Sequence, residues 1–247
     1  MFPIRDHNPS GRRPWVTYAL IAANVAIFLA YWSALTSDQS LNRFFYTWGL
    51  VPQSLMRGEG LATLVTSMFL HGGWMHLIGN MWFLWIFGDN LEDEMGHAGF
   101  LAFYLASGLA AAAMQVAVDP GSAAPMVGAS GAIAGVMGGY LLLFPKARVD
   151  VLFIFVIFFR IFPIPAWVVL GVWISLQVFS GASVPSAASG VAYWAHIGGF
   201  AGGFVLTIPA LLRRGGRGFW TRTAGHPAHP VAQFPVTRSM IPKVPRR

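Results

Sequence analysis

The chain has 247 residues, 55% hydrophobic and 10% charged, with a mean hydropathy of +0.58, which excludes an ordinary soluble domain. Its net charge of +7 sits at one end: residues 213–247 carry eight Arg/Lys and no acid, whereas residues 1–212 carry eight basic and nine acidic side chains. A polybasic stretch directly after an apolar run argues for a topology signal and anionic-lipid contact, not nucleic-acid binding, and the lack of cysteine excludes disulfides and thiolate chemistry.

A polar, basic arm over residues 1–13 leads into a first apolar run, Trp15 to Leu35, too long for a signal-peptide core and without a small-residue cleavage site, so it reads as a retained span. Further candidate spans follow at Trp74 to Phe87, His97 to Val118, Gly128 to Phe144, Ala166 to Phe179 and Val191 to Leu212. The expected fold class is therefore an all-α, polytopic membrane protein with six transmembrane helices, in one membrane domain over residues 14–212. The first loop, Thr36 to Gly73, is long and rich in aromatics and is expected to lie partly in the membrane interface. The run Val151 to Phe159, followed by Arg160, Pro163 and Pro165, reads as an interfacial segment rather than the start of a longer kinked fifth span. The basic tail, residues 213–247, is rich in Pro, Gly and Arg and is expected to be disordered.

With six spans, Arg5, Arg12, Arg13, Lys146, Arg148 and the tail fall on one side, and only Arg43 and Arg57 on the other. By the excess of Lys and Arg on cytoplasmic loops, both termini are expected to be cytoplasmic. Spans two, four and six then all enter from the outer face, so residues near their N-terminal ends lie at similar depth.

Polar side chains in apolar spans are costly and need a reason. His76 and Asn80 lie four residues apart on one face of span two, Ser130 opens span four in GASGAIAG, and His196 lies near the start of span six. Taken singly, each has a structural explanation: an intramembrane serine usually packs, and glycines spaced by four, as at Gly131, Gly135 and Gly139 or Gly199 and Gly203, are small-residue helix contacts. Together they carry more, because those stripes bring spans four and six close, and His196 shares a face with Gly199 and Gly203. A nucleophile, a base and a set of oxyanion donors can thus meet from three helices.

GASG around Ser130, AHIGGFAGG around His196 and HGGWMHLIGN with His71, His76 and Asn80 together resemble the rhomboid family of intramembrane serine proteases. The resemblance runs from about Pro14 to Leu212 and takes in Gly49-Leu50-Val51-Pro52 and the turn Glu92-Asp93-Glu94-Met95-Gly96. It implies a serine endopeptidase that cuts single-span membrane proteins in or near their transmembrane segments with a Ser130/His196 dyad. His76 and Asn80 match the family's oxyanion-binding side chains, His71 a structural first-loop histidine, and Glu92 an acid supporting the cytoplasmic side. No cofactor, metal or nucleic acid is implied; the partners are transmembrane-helix substrates and lipids, and the expected location is a bacterial cytoplasmic membrane with the site opening outward.

Two positions depart from the family pattern. Ala134 stands where an aromatic four residues after the serine often stacks on the histidine, and Ala62 and Thr63 stand where a Trp-Arg pair often precedes His71. These departures leave a catalytically silent relative that binds membrane helices as the alternative. A transporter or zinc enzyme using His71, His76 and His196 is a further alternative, disfavoured by the lack of an HExxH pair. A third catalytic carboxylate is not expected, because the outward acids Asp38, Glu59 and Asp119 all lie in loops.

Overall fold

The computed structural model describes residues 2–155, 158–184 and 190–225. The long helices are α1 (Trp15–Ala34), α5 (Trp74–Met95), α6 (His97–Val118), α7 (Ser130–Leu143), α8 (Ala166–Ser183) and α9 (Tyr193–Arg213). Four of them, α1, α6, α8 and α9, are long and apolar enough to cross a membrane. The other two differ for legible reasons: α5 carries Asp89, Glu92, Asp93 and Glu94 in its last turns, and α7 has only 14 residues.

The core is built around α7, of whose 14 residues all but Ser130 and Leu141 are buried. Helix α9 lies against it almost backbone to backbone, which only glycine permits. A Cβ on Gly199 would sit 2.0 Å from the Gly131 carbonyl oxygen, and one on Gly203 would sit 2.1 Å from that of Gly135. Ser107 of α6 closes on Gly135 from another side. The large buried side chains Phe87, Phe100, Tyr104, Met137 and Tyr140 fill the space between α5, α6 and α7.

At the end of the bundle away from Ser130, polar contacts fasten the helices. Glu92 accepts from the Val16 and Thr17 backbone N–H groups and the Thr17 hydroxyl, each at 2.8 Å, satisfying donors that the first turn of α1 cannot pair internally. Gly96, at φ +73°, turns the chain from α5 into α6 in a left-handed conformation that a side chain would strain. Arg214 pairs with Glu94 at 2.8 Å, bringing the end of α9 to the same turn.

The all-α expectation is corrected at this end. Strands β1 (Phe2–Asp6), β2 (Arg148–Phe155) and β3 (Phe158–Pro165) form an antiparallel sheet in the order β1-β2-β3, with Asp150 opposite both Arg5 and Pro163. The run expected to lie flat in the interface is thus a hairpin that the N-terminal arm extends by one strand. Its β-branched and aromatic residues favour the extended chain, and Pro163 and Pro165 are tolerated because β3 is an edge strand. Asp150 ties the arm down, accepting from Arg5 Nε at 2.7 Å and pairing with His7 Nε2 at 2.8 Å. Burial alone would raise its carboxyl, but these bonds and charges hold it below the usual range.

Two further expectations change. The first loop folds into short helices, α2 (Asp38–Trp48), α3 (Pro52–Met56) and α4 (Thr63–Thr66), the last followed by a 3-10 turn over Ser67–Phe69. The disorder expected from residue 213 does not apply to its beginning: α10 (Arg217–Thr223) buries Phe219 against Phe144, and Trp220 donates to the Leu142 carbonyl at 3.1 Å. Residues 226–247, the rest of that tail, lie outside the described residues.

Candidate active site

The starts of α5, α7 and α9 converge on a cavity of about 890 Å3, lined among others by His76, Asn80, Ser130, Trp173 and His196. Ser130 is the first residue of α7, and His196 lies in the first turn of α9. His196 Nε2 is 2.8 Å from Ser130 Oγ. The four residues singled out in the sequence therefore line one cavity, and the glycine contacts between α7 and α9 hold the serine and histidine within hydrogen-bond reach.

The surroundings fit a site for a developing negative charge. The first helical bond of α7 runs from the Ile133 N–H to the Ala129 carbonyl, so the N–H groups of Ser130, Gly131 and Ala132 precede it at the positive helix end. Gly72 donates its N–H to His76 Nδ1 at 3.3 Å, which makes Nδ1 the acceptor and places the ring proton on Nε2. That nitrogen and the Ser130 hydroxyl both flank Gly128: a Cβ there would lie 2.8 Å from His76 Nε2 and 3.4 Å from Ser130 Oγ. Gly128 is at φ +132°, so glycine is required there both by conformation and by the imidazole. Asn80 is buried, and its amide Nδ2 has no hydrogen-bond partner among the described residues. A buried donor facing a cavity is costly unless something comes to meet it.

His71 does not line the cavity. It is fully buried, edge-on to His76 with ring centroids 5.1 Å apart, and burial, reinforced by His76, pushes its imidazole down to about 3. Its backbone is clamped by Tyr31, whose hydroxyl donates to the His71 carbonyl at 2.6 Å and accepts its N–H at 2.9 Å. The residue thus ties the first loop to α1. Among the described residues, no group of three or more His, Asp or Glu converges as a metal centre would need.

Two contacts on His196 are not foreseen in the sequence. Gln177 Oε1 of α8 is 2.8 Å from His196 Nδ1, and the Trp173 ring lies 5.7 Å from the imidazole at 37°. The available signal was a tryptophan and a glutamine spaced by four in a mostly apolar span, which puts both on one face.

Membrane-length apolar helices around a cavity into which a few polar side chains reach define a mostly helical integral membrane protein. The family model of the Rhomboid domain matches residues 58–213, more than half of the chain, and the protein belongs to the rhomboid family. Among curated relatives, Rhomboid protein 1, mitochondrial, of Saccharomyces cerevisiae is 30% identical over 195 residues, covering 74% of this chain and 50% of the yeast protein. Rhomboid-like protein 11, chloroplastic, of Arabidopsis thaliana is 32% identical over 132 residues (53% and 43%). Presenilin-associated rhomboid-like protein, mitochondrial, of Homo sapiens is 28% identical over 137 residues (55% and 34%). The chain thus spans half or less of each relative's length.

Proposed function

We propose that the protein is an intramembrane serine endopeptidase that hydrolyses peptide bonds in or near the transmembrane segments of single-span proteins. The observation that carries this reading is the 2.8 Å approach of His196 Nε2 to Ser130 Oγ in a cavity that His76 and Asn80 also line. His196 takes the proton from Ser130 as Oγ attacks the scissile carbonyl, and the oxyanion is met by the Ser130 N–H, His76 Nε2–H and Asn80 Nδ2–H. The protonated His196 then passes its proton to the leaving amine, giving an acyl-enzyme. Water, activated by the same nitrogen, releases the acyl product.

In this reading α5 and α7 complete six crossings. Helix α7, at 14 residues, is about 21 Å long against a hydrocarbon core of about 30 Å, so its start lies below the membrane surface. The missing length becomes the cavity through which water reaches the dyad. Substrate helices must unwind locally to present a carbonyl, because helical carbonyls are already paired, so small or helix-breaking residues near the site are expected. Both termini lie on the cytoplasmic side, where Arg12 faces Asp93 at 3.7 Å, Arg214 pairs with Glu94, and the basic tail can meet anionic lipid. The compartment is left at that orientation: the relatives' names are mitochondrial and chloroplastic and lend no support to a bacterial membrane.

The test is reconstitution into vesicles with a panel of single-span substrates, comparing wild type with Ser130→Ala and His196→Ala and mapping the cut by mass spectrometry. Cleavage lost in both variants supports the reading. No cleavage by folded wild type on any substrate would instead favour the silent helix-binding relative, and cleavage retained in Ser130→Ala would refute Ser130 as the nucleophile.

A further inference from the structure

Ala134 stands where a stacking aromatic often supports the histidine, and among the described residues no carboxylate is paired with the imidazole. Two features of α8 fill those places. Trp173 and Gln177, four residues apart, share one face of the helix and reach His196 at once, the indole beside the ring and the amide at Nδ1. Ala134 itself is fully buried, so the space an aromatic would use on α7 is already closed, and the flank of the histidine is covered from α8 instead. Trp173 is in turn held by Phe200 of α9, at 6.2 Å and 30°.

We propose that Gln177 is the positioning residue that sets the tautomer of His196, with Trp173 bracing the ring. This rests on the serine-protease reading of the site. With Oε1 towards the imidazole, Nδ1 carries the proton and Nε2 presents its lone pair to the Ser130 O–H, the state a general base requires. Were the amide turned over, its NH2 would donate to Nδ1, the proton would sit on Nε2, and Nε2 would donate to Oγ instead of accepting from it. The same heavy-atom distances would then describe a silent site, so the orientation of one amide decides competence.

A neutral acceptor suits this depth. A carboxylate in an apolar span is costly to bury and would favour the protonated imidazole, which cannot act as a base. The amide orients the ring without charging it. Helix α8 is the least buried of the four membrane-length helices.

The decisive measurement is the nitrogen NMR spectrum of 15N-histidine-labelled full chain in lipid nanodiscs, assigned with His196→Ala. The expected wild-type spectrum has His196 protonated at Nδ1 and bare at Nε2, and Gln177→Leu shifts it towards the Nε2–H form. In kinetics, Gln177→Leu lowers kcat about tenfold or more with KM within about twofold. Gln177→Glu restores an acceptor but moves the acidic limb of the pH–rate profile upward by about one unit or more, through its negative charge. A wild-type His196 protonated at Nε2 overturns the proposal, as does Gln177→Leu with an unchanged tautomer, even if its activity falls through lost stability. The spectrum needs no substrate, so it separates failure of this inference from failure of the protease reading, which Ser130→Ala decides.

Discussion

Replacing Gly199 by alanine perturbs the site without touching a reacting atom. The new Cβ would fall 2.0 Å from the Gly131 carbonyl oxygen, a backbone atom that cannot swing away, and ordinary contact begins near 3.4 Å. The two helices must therefore separate by about 1.4 Å, the difference between those distances. Gly199 is one turn beyond His196 on α9, and Gly131 is next to Ser130 on α7, so the displacement is delivered almost undiminished to the dyad. The 2.8 Å approach would open to about 4 Å, beyond hydrogen-bond reach. A misplacement of this size lowers the rate by about 100-fold. The overpacking itself costs about 1 to 3 kcal/mol, which leaves a folded protein to assay. The experiment measures kcat on a reconstituted single-span substrate beside a thermal melt. The control is Gly171→Ala on α8, where a Cβ meets nothing within 4 Å. Wild-type kcat from folded Gly199→Ala would refute the claim that glycine packing sets the dyad distance.

Asn80→Ala and His76→Ala should each lower kcat by about 10²- to 10³-fold with little change in KM, measured on the same substrate. A rise in KM with kcat unchanged would mean that they bind substrate rather than the oxyanion. Asp6 offers a pH test at the other end of the molecule. Burial lifts its carboxyl from an ordinary 3.8 to about 7, against the hydrogen bond from Tyr140 and with the Asp89 charge adding to the rise. The folded chain keeps that proton where the unfolded chain releases it, so the contribution is full below about pH 4 and is lost as pH rises through 7. Asp6→Asn should therefore raise Tm relative to wild type at pH 8 and leave it level near pH 4. Parallel Tm curves across that range would show that Asp6 is not held neutral by the fold.

What was legible in the sequence followed from strong local signals. Apolar runs fixed where the long helices begin, to within two residues at Trp15, Trp74, His97, Ser130, Ala166 and Tyr193. The spacing of Gly199 and Gly203 against Gly131 and Gly135 anticipated the close α7–α9 contact, and with it the meeting of Ser130 and His196. The rest depended on contacts between residues far apart in the chain. Pairing of the N-terminal arm with the hairpin joins Phe2 to Leu152 and Arg5 to Asp150, and no local periodicity announces such a partner. The strands themselves were masked by apolarity, since a run such as Val151 to Ile154 suits an interfacial helix and a strand alike. Gln177 was missed because its meaning depends on which nitrogen of His196 it faces, a fact of helix rotation rather than of spacing. The clamp between Tyr31 and His71 was hidden in the same way, its bonds running to backbone atoms that every residue has.

The central claim, that Ser130 is a nucleophile activated by His196, is tested most directly by covalent capture. Folded protein in nanodiscs is treated with a fluorophosphonate, and the adduct is located by intact-mass and peptide mass spectrometry. The account predicts a single adduct on Ser130, absent in Ser130→Ala and strongly slowed in His196→Ala. Folded wild type that stays unlabelled, or an adduct on another residue that survives Ser130→Ala, would contradict it.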